Sequence, residues 1–257
     1  MIKPKYLLIA LALFCACASK REPFFADVYL NGTIRQTIKV YKDTLTFYDS
    51  SRNREIPTAI YQRKDTTIKR LAIINPGYGG TKDDYAFIAS KLAKKGYLVV
   101  TIQHDLPGDA PMPNTGDLYK LRKPVWDRGV KSIFFVTEQL KRRYAEVDFD
   151  DILLIGHSNG GDMAMLIANE YPLFARRIIS LDNRRMPFPR ARRPTIFSLR
   201  SSDQPADQGV LPSAEEQKKY GIKIVKVTAR HNDMGGSGTE GEKKEIVNYI
   251  LNFLGED

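Results

Sequence analysis

Two kinds of stretch alternate along this chain. Short runs are apolar at nearly every position: "LAIIN" (71–75), "YLVVTI" (97–102), "DILLIG" (151–156), "RRIISLD" (176–182), "PTIFSLR" (194–200) and "IKIVKV" (222–227). Such runs fit strands covered on both faces, as in a parallel sheet. Between them, apolar residues recur every three or four positions, the helical period. Tyr85, Ile88, Ala89 and Leu92 form one such stripe. Val130, Ile133, Phe134, Thr137 and Leu140 form another, and "NGGDMAMLIANEYP" follows the third run. Ile246, Tyr249, Ile250 and Phe253 close the chain on one face. The first helix is framed by Thr81 with Asp84 three residues on, a capping box with a shortened acid, and is stopped by Gly96.

The opening part lacks this alternation. "TIKVY", "TLTFY" and "PTAIYQ" read as successive antiparallel strands, and "QHDLPGDAPMPNTGDLYKLRKP" (103–124) as a Pro/Gly/Asp-rich loop. The pattern predicts an α/β class: a mainly parallel central sheet with antiparallel N-terminal strands and helices on both faces. The later connections are too short for a large cap domain, so an open site is expected.

At 257 residues one domain is the expectation, and 42% hydrophobic with 27% charged residues is a globular balance. The first twenty residues differ. Lys3 and Lys5 precede "YLLIALALF", an apolar run too short to span a bilayer, and small residues follow. Both cysteines, Cys15 and Cys17, lie here. "FCAC" resembles a bacterial lipobox, with Phe14 where leucine is usual. Residues 1–16 are therefore read as a lipoprotein-type signal peptide, 17–26 as a tether and 27–257 as the folded domain. The expected destination is the cell envelope, on a membrane through a lipidated Cys17; secretion without lipid is the alternative. Cleavage before Cys17 would leave no possible disulfide. The net charge of +10 favours anionic surfaces or acidic substrates outside the cytosol, or simply aids solubility. Nucleic acid is not an expected partner.

"DILLIGHSNGGDMA" (151–164) breaks from an apolar strand into glycines around one serine. Gly156-His157-Ser158-Asn159-Gly160 is G-x-S-x-G at a strand-to-helix junction, the setting of a nucleophile elbow. The tight turn exposes the hydroxyl and aims a helix N-terminus at it. A serine needs a base, and the chain has three histidines. His157 adjoins Ser158 and points elsewhere from such a turn. His104 follows a strand and reads as a structural or pocket-wall residue. His231, after the last strand, stands where the order nucleophile, acid, histidine asks for the base. Asp203, at the end of "PTIFSLRSSD", is the favoured acid, with Asp182, ending "RRIISLD", kept as the alternative and Asp207 behind both. The oxyanion donors are expected to be the N–H groups of Asn159 and of Tyr78 in "NPGYGG". No metal or organic cofactor is implied, because no histidine cluster has ligand spacing and no G-x-G-x-x-G opens the first helix. "DNRRMPFPRARRP" carries Arg184, Arg185, Arg190, Arg192 and Arg193 at the carboxyl ends of two strands. It is placed either to steer an anionic substrate or only to keep the surface soluble.

On these motifs, residues 47–254 resemble the α/β-hydrolase superfamily. "YDSSRNREIPTAIY", "NPGYGG", "VVTIQHD" and "GHSNGG" follow the segment order of its branch with dienelactone-hydrolase-like esterases and platelet-activating-factor acetylhydrolases. Ser158 stands where dienelactone hydrolase proper has cysteine. Acetylhydrolases place the acid where Asp182 is, cutinase-like members where Asp203 is. The resemblance implies a serine hydrolase acting on a small-molecule, glycan or lipid carboxylic ester through an acyl-enzyme. A serine peptidase or amidase, and a non-catalytic surface lipoprotein binding through the same fold, are the rival readings.

Overall fold

The computed structural model describes residues 21–24 and 38–256. The expected signal peptide (1–16) and most of the tether lie outside the described residues. Arg21–Phe24, expected within the tether, instead forms a strand, β1, antiparallel to β2.

β2 (Val40–Asp49) unites two strands expected separately, "TIKVY" and "TLTFY". No glycine or proline interrupts it, and its register with β3 (Arg54–Gln62) is unbroken from Tyr41 opposite Gln62 to Asp49 opposite Arg54. β4 (Arg70–Asn75), β5 (Tyr97–Ile102), β6 (Asp148–His157), β7 (Arg177–Leu181), β8 (Thr195–Arg200) and β9 (Lys223–Lys226) run parallel. The sheet order is β1-β2-β3-β5-β4-β6-β7-β8-β9.

Strand side chains alternate between two cores, as the pleat dictates. Leu71, Ile73, Ile152 and Leu154 face α2 (Leu118–Arg143) and α3 (Asn159–Glu170). Ala72, Ile74, Leu153 and Ile155 face α1 (Ala86–Lys94) and α5 (Glu240–Leu254). Burial on both sides explains why these strands read as unbroken apolar runs.

Several helix ends differ from expectation. α1 starts at Ala86, and the Thr81–Asp84 pair closes a turn ahead of it, with the Thr81 N–H on Asp84 Oδ2 at 2.7 Å. α2 takes in the last seven residues of the expected loop: Asp117 caps Lys120 N–H, and the helix runs through Pro124 to the fully buried Trp126. A short helix not expected, α4 (Ala214–Tyr220), starts at a capping box of Ser213 and Glu216. Among the described residues no connection holds a cap domain, and no helix is long and apolar enough to cross a membrane.

Candidate active site

Ser158 sits between β6 and α3 at φ 50°, ψ −113°, a backbone state costing a non-glycine residue on the order of 1–3 kcal/mol. Close packing holds it there. A Cβ on Gly156 would collide with the Gly160 carbonyl, and one on Gly160 with the carbonyl of Asn75. The turn therefore closes on itself and on the end of β4 at once, which only glycine allows. The Ser158 N–H donates to the Leu181 carbonyl at 2.9 Å, and the Asp162 N–H to the Ser158 carbonyl at 2.8 Å.

The imidazole of His231, on a short 3-10 turn after β9, reaches this serine. Its Nε2 lies 2.9 Å from Ser158 Oγ and its Nδ1 2.6 Å from Asp182 Oδ2. Burial is graded along the chain of contacts: Asp182 is fully buried, His231 nearly so, and Ser158 half-exposed. The structure thus brings Asp182, and not the favoured Asp203, to the imidazole. Asp182 follows β7 directly in a left-handed conformation, φ 57°, with its N–H on the Leu199 carbonyl at 2.9 Å. Asp203 lies three residues beyond β8, where Oδ1 accepts the backbone N–H of His231 at 2.7 Å. It holds the histidine's main chain and does not meet its ring. Asp207 lies instead 3.9 Å from Arg185 Nε.

The other oxygen of Asp182 accepts the Ser201 N–H at 3.1 Å and lies 2.7 Å from Nη2 of Arg200. Burial alone would raise this carboxyl. The His231 hydrogen bond, the Arg200 charge and the Ser201 bonds outweigh it and hold the pKa below the ordinary value. Neither Arg200 nor Ser201 was singled out from the sequence; the only signal was their place at the end of an apolar strand.

The loop after β4 passes over the serine. A Cβ added at Gly77 would lie 3.4 Å from Ser158 Cβ. Among the described residues, the N–H groups of Tyr78 and Asn159 have no protein acceptor. Asp105 fixes the loop by accepting the Gly79 N–H at 2.9 Å. The Tyr78 ring is more than half exposed, and its hydroxyl accepts the Met112 N–H at 3.1 Å. Trp126 Nε1–H donates to Asn159 Oδ1 at 2.8 Å and ties α2 to the start of α3.

The other histidines are buried away from the hydroxyl. His157 Nε2–H donates to the His231 carbonyl at 3.0 Å, which leaves Nδ1 to accept from the Tyr85 hydroxyl at 2.5 Å. Burial, then the neighbouring His231, lowers the His157 pKa to about 3. His104 Nε2–H donates to Asn75 Oδ1 at 2.9 Å; burial, with Arg54 and Arg128, lowers its pKa to about 3. Tyr85 was read only as a core position of α1, and nothing local in the sequence signals its polar partner.

A nine-stranded sheet whose parallel strands carry the serine after β6, a carboxylate after β7 and the histidine after β9 is the α/β-hydrolase fold. No family model matches the chain. Cutinase 2 of Thermobifida cellulosilytica is 24% identical over 115 residues, 45% of this chain and 40% of that protein. The chain therefore matches well under half the length of this curated relative. Of solved structures, a ferulic acid esterase from Streptomyces cinnamoneus superposes with a TM-score of 0.55 at 18% identity, covering 76% of this chain and 75% of that one. A fungal esterase from Rhizomucor miehei gives 0.62 at 12% identity, covering 84% and 82%.

Proposed function

We propose that this protein is a serine hydrolase that cleaves carboxylic esters, with Ser158 as nucleophile, His231 as base and Asp182 as the acid. The observation that carries the reading is the continuous line of contacts, 2.9 Å from Ser158 Oγ to His231 Nε2 and 2.6 Å from Nδ1 to Asp182. An ionised carboxylate only accepts, so Asp182 accepts the hydrogen bond of Nδ1–H and leaves the unprotonated Nε2 facing the hydroxyl. His231 removes the serine proton as Oγ attacks the acyl carbon. The developing oxyanion is held by the N–H groups of Asn159 and Tyr78, which have no competing acceptor among the described residues. His231 then protonates the leaving alcohol, and water attacks the acyl-enzyme by the same route in reverse. The cutinase and esterase relatives support an ester over an amide.

An alkyl fluorophosphonate reacts only with an activated serine. It should label the protein and leave Ser158→Ala unlabelled. Aryl ester turnover should fall in that variant on the order of 10⁶-fold, as for removal of a triad member. An unlabelled parent, or a labelled Ser158→Ala, overturns the reading.

The basic start, apolar run and "FCAC" support export and attachment to a membrane through an acylated Cys17. Stable anchoring takes more than one lipid chain. Mass spectrometry of the mature N-terminus should find Cys17 first and diacylated; a lipid-free N-terminus overturns it.

A further inference from the structure

Exposed cations gather at one end of the sheet. β7, β8 and β9 are parallel neighbours, so the chain enters all three at the same edge, opposite the end where Ser158 follows β6. α3 returns the chain to that edge before β7, the loop through Arg193 does so before β8, and α4 before β9. The register fixes the spacing. The Thr195 N–H donates to the Arg176 carbonyl at 3.0 Å, and Lys223 pairs with Phe197. Arg176, Arg192, Arg193, Lys218, Lys219 and Lys223 therefore share one edge, and all six are exposed.

No acid stands among them. Residues 171–177, 187–195 and 217–223 contain neither Asp nor Glu. The exposed acids of this end, Glu146, Asp148 and Asp150, lie on the way into β6, so the cationic face begins at β7. Among the described residues, Arg192, Arg193, Lys218, Lys219 and Lys223 have no carboxylate at ion-pair distance, and Arg176 has only Asp151 at 4.0 Å. Such a cluster attracts anions through its summed field.

An apolar tip projects from the same edge. Between α3 and β7 the chain turns at Tyr171–Phe174, closed by the Phe174 N–H on the Tyr171 carbonyl at 2.9 Å. Turn tips favour polar residues and glycine; this one presents Leu173, 77% exposed. The rings of Tyr171 and Phe174 pack on Phe134, 4.9 and 4.7 Å between centroids, and hold the turn out. A leucine offered to water beside unpaired cations is the pairing by which proteins lie on charged lipid. A soluble polyanion would meet the cations and give Leu173 nothing.

We propose that the amino end of β7, β8 and β9 is a docking face for an anionic phospholipid bilayer, with Leu173 entering the headgroup boundary and the cations over the phosphates. The face acts independently of Cys17. Docked on it, the domain holds Ser158 at the end away from the bilayer, so its ester comes from the aqueous side; this last point rests on the ester-hydrolase reading.

Flotation with vesicles tests the face. Full chains carrying Cys17→Ser share one N-terminus, so any contribution of residues 1–16 is common to all. The parent should bind vesicles of one part phosphatidylglycerol to two parts phosphatidylcholine well above phosphatidylcholine alone. Salt should weaken the binding, since screening acts over about 8 Å at physiological ionic strength. Arg192→Gln/Arg193→Gln should bind about 25-fold more weakly, about five-fold for each cation lost. Lys120→Gln/Lys244→Gln removes the same charge at the starts of α2 and α5, the opposite end, and should stay within about two-fold of the parent. Leu173→Ser should cost about ten-fold, as withdrawing most of a leucine from water predicts. No preference for phosphatidylglycerol, or equal losses in the two charge variants, overturns the face. Heparin bound as tightly as the anionic vesicles, with Leu173→Ser indifferent in both, assigns the cations to a soluble polyanion and overturns the bilayer. Bound and free protein should turn over 4-nitrophenyl acetate at one rate; inhibition on binding would set Ser158 against the bilayer and overturn the placement. The binding arms need no turnover, so failure of the hydrolase reading leaves them standing.

Discussion

The Tyr85 hydroxyl donates to Nδ1 of His157 at 2.5 Å, and through the far side of that ring it reaches the main chain of His231. The main chain of the histidine facing Ser158 is therefore held, through His157, by the residue that precedes α1. Tyr85→Phe leaves a buried ring nitrogen unpaired, a loss of about 1–3 kcal/mol. A chain of this size should then melt several degrees lower, at about 2–4 °C per kcal/mol. Calorimetry giving an unchanged Tm would show that the bond carries no stability.

The two carboxylates at His231 do different work, and asparagine separates them. Asp182→Asn loses the acceptor that fixes the ring tautomer, and kcat should fall about 10⁴-fold. Asp203→Asn can still accept the His231 N–H, so its kcat should stay within about ten-fold of the parent. Equal losses in the two variants would refute Asp182 as the acid.

Arg200 shares Asp182 with His231. Removing its charge in Arg200→Met leaves more of the carboxylate's field on the imidazole. The acidic limb of the kcat/KM profile should move to higher pH, and Arg200→Lys should restore much of it. The acid-stability sign follows from the same pair. A carboxyl held below its unfolded value of about 3.9 stabilises above that pH and loses the contribution as pH falls through the folded value. Without Arg200 that loss should begin at higher pH. Limbs that superimpose for the parent and Arg200→Met would rule out the coupling.

His104 and His157 stay neutral when folded, with pKa values near 3 against about 6.5 unfolded. Between those values the unfolded chain binds more protons, so stability should drop as pH falls from 6.5 towards 3. Each residue adds up to about 1.4 kcal/mol per pH unit. Urea midpoints at pH 7 and pH 5 measure the slope, and His104→Asn should flatten it. A midpoint indifferent to pH over this range would contradict neutral burial.

The sheet and the elbow were legible because both are local. Full burial makes β4 to β8 continuous apolar runs, and the close approach of Gly156 and Gly160 writes glycine around Ser158. The acid was not legible: Asp182 and Asp203 both follow strands, and which one meets the ring depends on how the turn after β9 presents His231. Pro124 masked the start of α2, whose buried Trp126 outweighs the lost hydrogen bond.

Because β7 and β8 run parallel, the connection between them crosses from the carboxyl end of the sheet to the amino end, and this bears on how the molecule can be handled. Ala191, Arg192 and Arg193 are exposed together at the amino end of the sheet, while the N–H groups of Arg184, Arg185 and Met186 donate to Asp162 Oδ1 at the carboxyl end, where Asp162 bonds back to Ser158. Exposed loop tips of this kind accept insertions. A fusion partner or surface-coupling tag spliced between Ala191 and Arg192 would hang from the amino end of the sheet, so that an immobilised or tethered copy turns Ser158, at the carboxyl end, outward, towards whatever is offered to it.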